Sequence, residues 1–152
     1  VWIHGTQEVT PQSMHQIAQA MSELNRMTSK LHDEFPLPFP LRIGAGLNTG
    51  YAMVGNAGSK DRPDYTPLGD TVNAAFRFEN STKQLGLDVS VGETTYKALE
   101  QLGCGEQTFK RYSVDAKGYD RPLITHGCAF SDLDRFLGSY NRQHQSSLPV
   151  NS

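Results

Sequence analysis

The chain has 152 residues and a formal net charge of −2, enough for one domain with a real core and without the basic stripe of a duplex-binding surface. No run of about 18 apolar residues offers a membrane span, and the opening "VWIHGTQEVT" has neither the basic start nor the apolar core of a signal peptide. Cys104 and Cys128 stand far apart without CxxC spacing, which reads as two reduced thiols of a cytosolic protein; the five histidines form no HxxxH pair of the kind that builds zinc sites.

In chain order, "VWIH" reads as a strand end. Pro11 opens a helix over residues 11–34, on which Met14, Ile17, Ala18, Met21, Leu24 and Leu31 recur at helical spacing and predict a core-facing stripe. "FPLPFP" stops that helix, because proline disfavours helix in the residue before it. Leu41, Ile43, Ala45 and Leu47 alternate as in a half-buried strand. "NTG" reads as a tight turn with Gly50 at positive φ, and residues 51–55 as the returning strand, so that the two runs form a hairpin of central strands. The glycines match neither GxGxxG nor GxxxxGK[ST] and mark close approach of another backbone or a ligand.

"DYTPLGDTVNAAFRFE" then enters a second helix, with Asp70 as its cap and Val72, Ala75 and Phe76 as its buried side. Asn73 and Arg77 stand four apart on one face. A guanidinium holds two phosphate oxygens in a fork, and an amide donates and accepts at once, so the pair suits a ligand with a sugar and a phosphate. The alternative is a surface helix with Arg77 paired to Glu79 or a nearby carboxylate. "LDVSVG" reads as a strand and "ETTYKALEQ" as a helix begun at Gly92 or Thr94. "EQTFKRYSVDA" and "RPLITHGCAF" read as two strands joined around "KGYD". "DLDRFLGSY" adds a helix, and the polar end "NRQHQSSLPVNS" frays. Hairpins mixed with helices predict an α+β fold, with helices on an antiparallel sheet.

"LRIGAGLNTGYAMVGNAGSKDRPDYTPLGDTVNAAFRFE" resembles the C-terminal half of a class III adenylyl or guanylyl cyclase catalytic domain. A glycine-spaced hairpin and a Y-T-x-x-G-x-x-V-N-x-A-x-R helix entry stand in register. The resemblance covers about residues 1–130, with a C-terminal helix and tail over 131–152. It implies a two-layer ferredoxin-like cyclase fold, incomplete in this chain. It also implies conversion of ATP to 3′,5′-cyclic AMP and pyrophosphate at a site shared by a homodimer or a complementary cyclase domain, in the cytoplasm, with no nucleic acid and no membrane insertion. By position, Asn73 resembles the residue that orients the ribose and Arg77 the one that binds the α-phosphate. Thr66 falls where the family reads the purine. "AKGYDRP" resembles the family's K-G-x-x-x-P turn and gives Lys117 the terminal phosphates. A guanylyl cyclase, or an incomplete homology domain that dimerises or regulates, remains an alternative. The family's metal-binding aspartates for Mg²⁺ or Mn²⁺, and its second base-reading residue, belong to earlier strands; no matching motif occurs here. Asp132 and Asp134, at the start of the last helix, read as partners of its dipole.

Overall fold

The computed structural model describes residues 8–56, 58–61, 65–115 and 121–145; the "VWIH" strand therefore lies outside the described residues. Helix α1 spans Pro11–Glu34, as its spacing predicts. Thr10 caps it: its hydroxyl accepts from Ser13 N while Ser13 Oγ accepts from Thr10 N, which satisfies two otherwise orphaned donors. Only the first half of its apolar stripe is core. Met14, Ala18 and Met21 are buried, whereas Leu24 and Leu31 are about half exposed.

Strands β1 (Ala45–Leu47), β2 (Met53–Asn56) and β3 (Tyr65–Leu68) follow, then α2 (Asp70–Leu85), β4 (Val89–Gly92), α3 (Glu93–Gln101), β5 (Lys110–Val114), β6 (Leu123–Cys128) and α4 (Phe130–Gln145). The main sheet has the order β1-β4-β6-β5. β1 pairs with β4 in parallel, and the other pairs are antiparallel. β2 and β3 make a separate antiparallel ribbon. The α+β expectation holds, but the expected hairpin of two central strands does not. β1 is partnered by β4, and the returning run pairs with Tyr65–Leu68.

The side chains of residues 48–51 explain why the chain leaves the sheet there. Asn48 Nδ2 donates to Thr71 O at 3.1 Å, Thr71 Oγ1 donates to Tyr51 O at 2.7 Å, and the Thr49 and Thr95 hydroxyls meet at 2.9 Å. These bonds hold the connection on the N-termini of α2 and α3. Gly50 accordingly does not turn at positive φ; among the described residues only Gly69, Gly86 and Gly103 do. What it supplies is room, since a Cβ there would lie 2.6 Å from Thr71 Oγ1.

β4 is buried along its whole length. Val89 and Val91 join Met14, Leu99, Phe109 and Leu133 in the core, while Ser90 faces α2. Helix α4 begins earlier and runs further than predicted. Phe130, Leu133 and Leu137 are buried, each burial contributing about 1.5–3 kcal/mol. Phe130 N donates to Asp88 Oδ2 at 3.0 Å. The expected fraying does not reach residues 141–145, where His15 meets Asn141 at 3.1 Å. Asp132, in the first turn of α4, pairs with Arg135 at 3.1 Å. Asp134 is no dipole partner; its carboxylate accepts from Ser22 Oγ and ties α4 to α1.

Both thiols are free and buried. Burial pushes Cys104 up to about 11 and raises Cys128 as well, so neither is a ready nucleophile.

His126 on β6 stacks on Tyr96 with ring centroids 3.8 Å apart, and its Nδ1 is buried with no partner among the described residues. Burial, then the Arg111 charge, lowers its pKa, so folding favours the neutral ring. The unfolded chain binds the proton near pH 6.5. The unfolded state therefore carries more protons below that point, and stability falls as pH drops. Urea midpoints are expected to decrease from pH 7.5 to pH 5.5, and His126→Phe, which keeps the stack and removes the titration, is expected to flatten that slope. An unchanged slope in the variant rejects the assignment.

Candidate active site

The site residues depend on how β3 enters α2. Gly69, at φ 137°, makes the turn, and the N–H groups of Val72 and Asn73 each donate to its carbonyl at 3.1 Å. Gly69 is also the N-cap residue. Asp70 is therefore not the cap that the sequence suggests; it is the first helical residue and makes no side-chain cap bond, leaving its carboxylate in the favourable field of the helix N-terminus.

The buried side of α2 is Phe78, Ser81 and Thr82. Val72 and Ala75 are half-buried, and Phe76 is half exposed. The helix has rolled because it lies directly on β1: a Cβ on Gly46 would stand 2.3 Å from both Ala75 O and Glu79 N. The close-approach reading of these glycines is thereby met by a backbone.

Asn73 is exposed in the first turn of α2, and Arg77 is half-buried one turn later. Arg77 lines a cleft of about 290 Å³ with Asn80, Ser81, Gln84, Val114, Asp115 and Leu123. Glu79, the alternative ion-pair partner in the sequence reading, lies 3.9 Å from Lys83 Nζ. Val114 and Leu123 are the paired ends of β5 and β6, so the connection that carries Lys117 springs from the wall of the same cleft. Lys117 itself lies outside the described residues. Thr66 sits on β3 opposite Gly55, half-buried, with the Gly69 turn between it and Asn73. The structure thus brings Arg77 to the base of the β5–β6 connection, and Thr66 stands on the separate ribbon.

Among the described residues no group of three or more His, Cys, Asp and Glu is gathered to hold a metal ion. Asn73 and Arg77 offer hydrogen bonding and positive charge here rather than metal-ligating carboxylates. No helix among the described residues is long and apolar enough to cross a membrane.

Sequence reasoning missed one feature at the cleft. Ser81, Ser90 and Thr125 form a buried chain of hydroxyls. Its only signal is a small hydroxyl residue between the apolar residues of "DVSVG" and beside "LI" in "LITHG".

The pattern defining the adenylate and guanylate cyclase catalytic domain matches residues 2–127. The chain belongs to that family. This cyclase domain is 32% identical over 108 residues to an adenylate cyclase of Anabaena cylindrica, covering 69% of the chain and 21% of that relative. It is 38% identical over 93 residues to the human atrial natriuretic peptide receptor 2, covering 61% of the chain and 8% of the receptor. The chain thus spans about a fifth or less of the length of these relatives. In three dimensions it resembles the adenylyl cyclase CyaB from P. aeruginosa, with a TM-score of 0.60 at 23% identity over 81% of the chain and 61% of that structure. The α+β arrangement is the ferredoxin-like fold of the cyclases.

Proposed function

We propose that this cyclase domain serves an adenylate cyclase, with residues 1–130 as its catalytic-domain portion and 131–152 as a C-terminal helix and tail. The observation that carries the reading is Arg77, half-buried on a rigid helix one turn after Asn73, at a cleft from whose wall the Lys117 connection springs. The named relative in Anabaena cylindrica supports adenylate over guanylate. In the reaction the ribose 3′ oxygen bonds to the α-phosphorus of ATP, the bond to pyrophosphate breaks, and 3′,5′-cyclic AMP closes. Asn73 orients the ribose by donating and accepting through one amide. Arg77 holds α-phosphate oxygens in its fork as charge grows on them. Lys117 binds the terminal phosphates, which are charged before the reaction begins. Thr66 reads adenine through its hydroxyl. The cytoplasmic site forms between two catalytic domains, in a homodimer or with a complementary partner. The family's Mg²⁺ or Mn²⁺ would be held by carboxylates outside these residues and would supply activation of the 3′ oxygen and neutralisation of the phosphates.

The test is product formation from ATP and from GTP with Mn²⁺, by the chain alone and mixed with a cyclase catalytic domain that carries the metal carboxylates but lacks its own arginine equivalent to Arg77. The chain alone is expected to be silent, and the mixture to make cyclic AMP. Predominant cyclic GMP selects the guanylate reading, and a silent mixture selects the regulatory one. Robust activity of the chain alone places a metal site within it, with Asp61, Asp64 and Asp70 the first residues to test. In the active mixture Thr66→Ala is expected to slow cyclic AMP formation and to narrow the preference for ATP over GTP. An unchanged rate and preference removes Thr66 from the site.

A further inference from the structure

Three hydroxyls run through the interior behind the Arg77 cleft. Ser81 Oγ on α2 lies 2.9 Å from Ser90 Oγ on β4, which lies 2.6 Å from Thr125 Oγ1 on β6. The ends are anchored on carbonyls: Ser81 donates to Phe78 O at 2.7 Å and Thr125 to Val91 O at 2.9 Å. Ser90 and Thr125 are 0% exposed and Ser81 is 3%. At such burial, alanine or valine would fill the same space without a polar group to satisfy. What hydroxyls add over apolar isosteres is direction, because each oxygen is held at one distance and one angle from the next.

The proton count shows how the chain is held. Each end hydroxyl has one hydrogen and two acceptors in reach, a carbonyl and Ser90 Oγ, and the single Ser90 hydrogen bonds one end at a time, so both hydroxyl contacts are bonded together when one end turns its hydrogen to Ser90. Ser90 is therefore the link between the two ends and anchors neither.

The positions of the ends suggest the purpose. Ser81 is one helical turn beyond Arg77 and lines the same cleft. Thr125 is two residues beyond Leu123, where the connection bearing Lys117 returns to the sheet. The chain crosses from the arginine helix to the strand that carries the other end of the site.

We propose that Ser81, Ser90 and Thr125 are positioning residues, which set the depth and register of α2 on the sheet and thereby the place of Arg77 relative to Val114 and Leu123, the paired ends of β5 and β6. The proposal rests on the cyclase reading of the site. Displacing a reacting group by about 1 Å costs up to about a hundredfold in rate, so a small slide of α2 is read in kcat. ATP binding through the terminal phosphates is little affected.

Ser90→Ala is the decisive variant, because both end hydroxyls keep their carbonyl acceptors and no buried donor is orphaned. In the active mixture described above it is expected to lower kcat by about ten- to a hundredfold with KM for ATP within about twofold. Thr125→Ser, which keeps the oxygen, is expected to match wild type. In an Arg77→Ala background Ser90→Ala is expected to have no further effect, since residues that act as a unit are not additive. Unchanged kcat in Ser90→Ala overturns the proposal, as does an equal loss with and without Arg77. So does a Thr125→Ser variant as slow as Ser90→Ala, which traces the effect to packing. Should Ser90→Ala unfold by circular dichroism, Ser81→Ala is read by the same criteria. A wild-type mixture with no activity refutes the cyclase reading and this inference with it, whereas an active wild type with an indifferent Ser90→Ala refutes this inference alone.

Discussion

Arg77→Ala is expected to lower kcat by about 10²–10³, equivalent to roughly 2.7–4 kcal/mol of transition-state stabilisation, while KM for ATP changes little. The reasoning starts from when the charge appears. The terminal phosphates are fully charged in the bound substrate, so a group that binds them acts equally on ground and transition state. The α-phosphate gains charge as the 3′ oxygen approaches and pyrophosphate departs, so a group aimed at it acts chiefly in the transition state. Arg77 is suited to that task by its half-buried place at the cleft, where an interaction with charge is less screened than in water. Its partner fork also matters. Arg77→Lys keeps the charge and loses the planar pair of donors, and is expected to fall between wild type and alanine. The measurement is steady-state kinetics of the complemented enzyme with each variant. A kcat within threefold of wild type in Arg77→Ala, or a loss confined to KM, removes Arg77 from the reacting phosphate.

Gly46→Ala is expected to be the most damaging change of a single methyl group in the described residues. The added Cβ would stand 2.3 Å from Ala75 O and 2.3 Å from Glu79 N, the acceptor and donor positions of a single i→i−4 hydrogen bond of α2. Neither is a flexible side-chain end that could swing away, so the helix must move off β1 or β1 must move off β4. Overpacking of this kind costs typically about 1–3 kcal/mol and occasionally more. For a chain of this length each kcal/mol lowers Tm by about 2–4 °C, so a fall of roughly 6–12 °C follows from the upper end. Activity is expected to fall further than stability, because the displaced helix carries both Asn73 and Arg77. Gly55→Ala is the control: its added Cβ meets nothing within 4 Å, and its melting temperature is expected to stay within about 2 °C of wild type. Equal melting temperatures for wild type and Gly46→Ala would show that α2 does not rest on β1 at this point.

Local patterns made much of this molecule readable in advance. Helix α1 announces itself through Pro11, a periodic apolar stripe and the prolines after it. The helix "ETTYKALEQ" and the strand "LDVSVG" are equally legible, because each is long or apolar enough for its period to stand out. The pairing of Asn73 with Arg77 at i and i+4 follows from helix geometry alone, and the motif around them was sufficient to suggest the family. Tertiary structure decided the rest. "LRIGAGL" and the run after "NTG" look like hairpin partners because sequence shows only neighbours. In the fold β1 finds β4 more than forty residues away, since α2 covers β1 and the hydrogen bonds of Asn48 and Thr71 draw the next segment out of the sheet. The buried side of α2 shifted from Val72, Ala75 and Phe76 to Phe78, Ser81 and Thr82 for the same reason: a helix resting on a glycine strand turns the face that fits, and periodicity alone does not select among neighbouring faces. The Ser81–Ser90–Thr125 chain lay furthest from view. Each hydroxyl is unremarked in its own segment, and only the packing of α2, β4 and β6 brings the three oxygens within hydrogen-bonding distance.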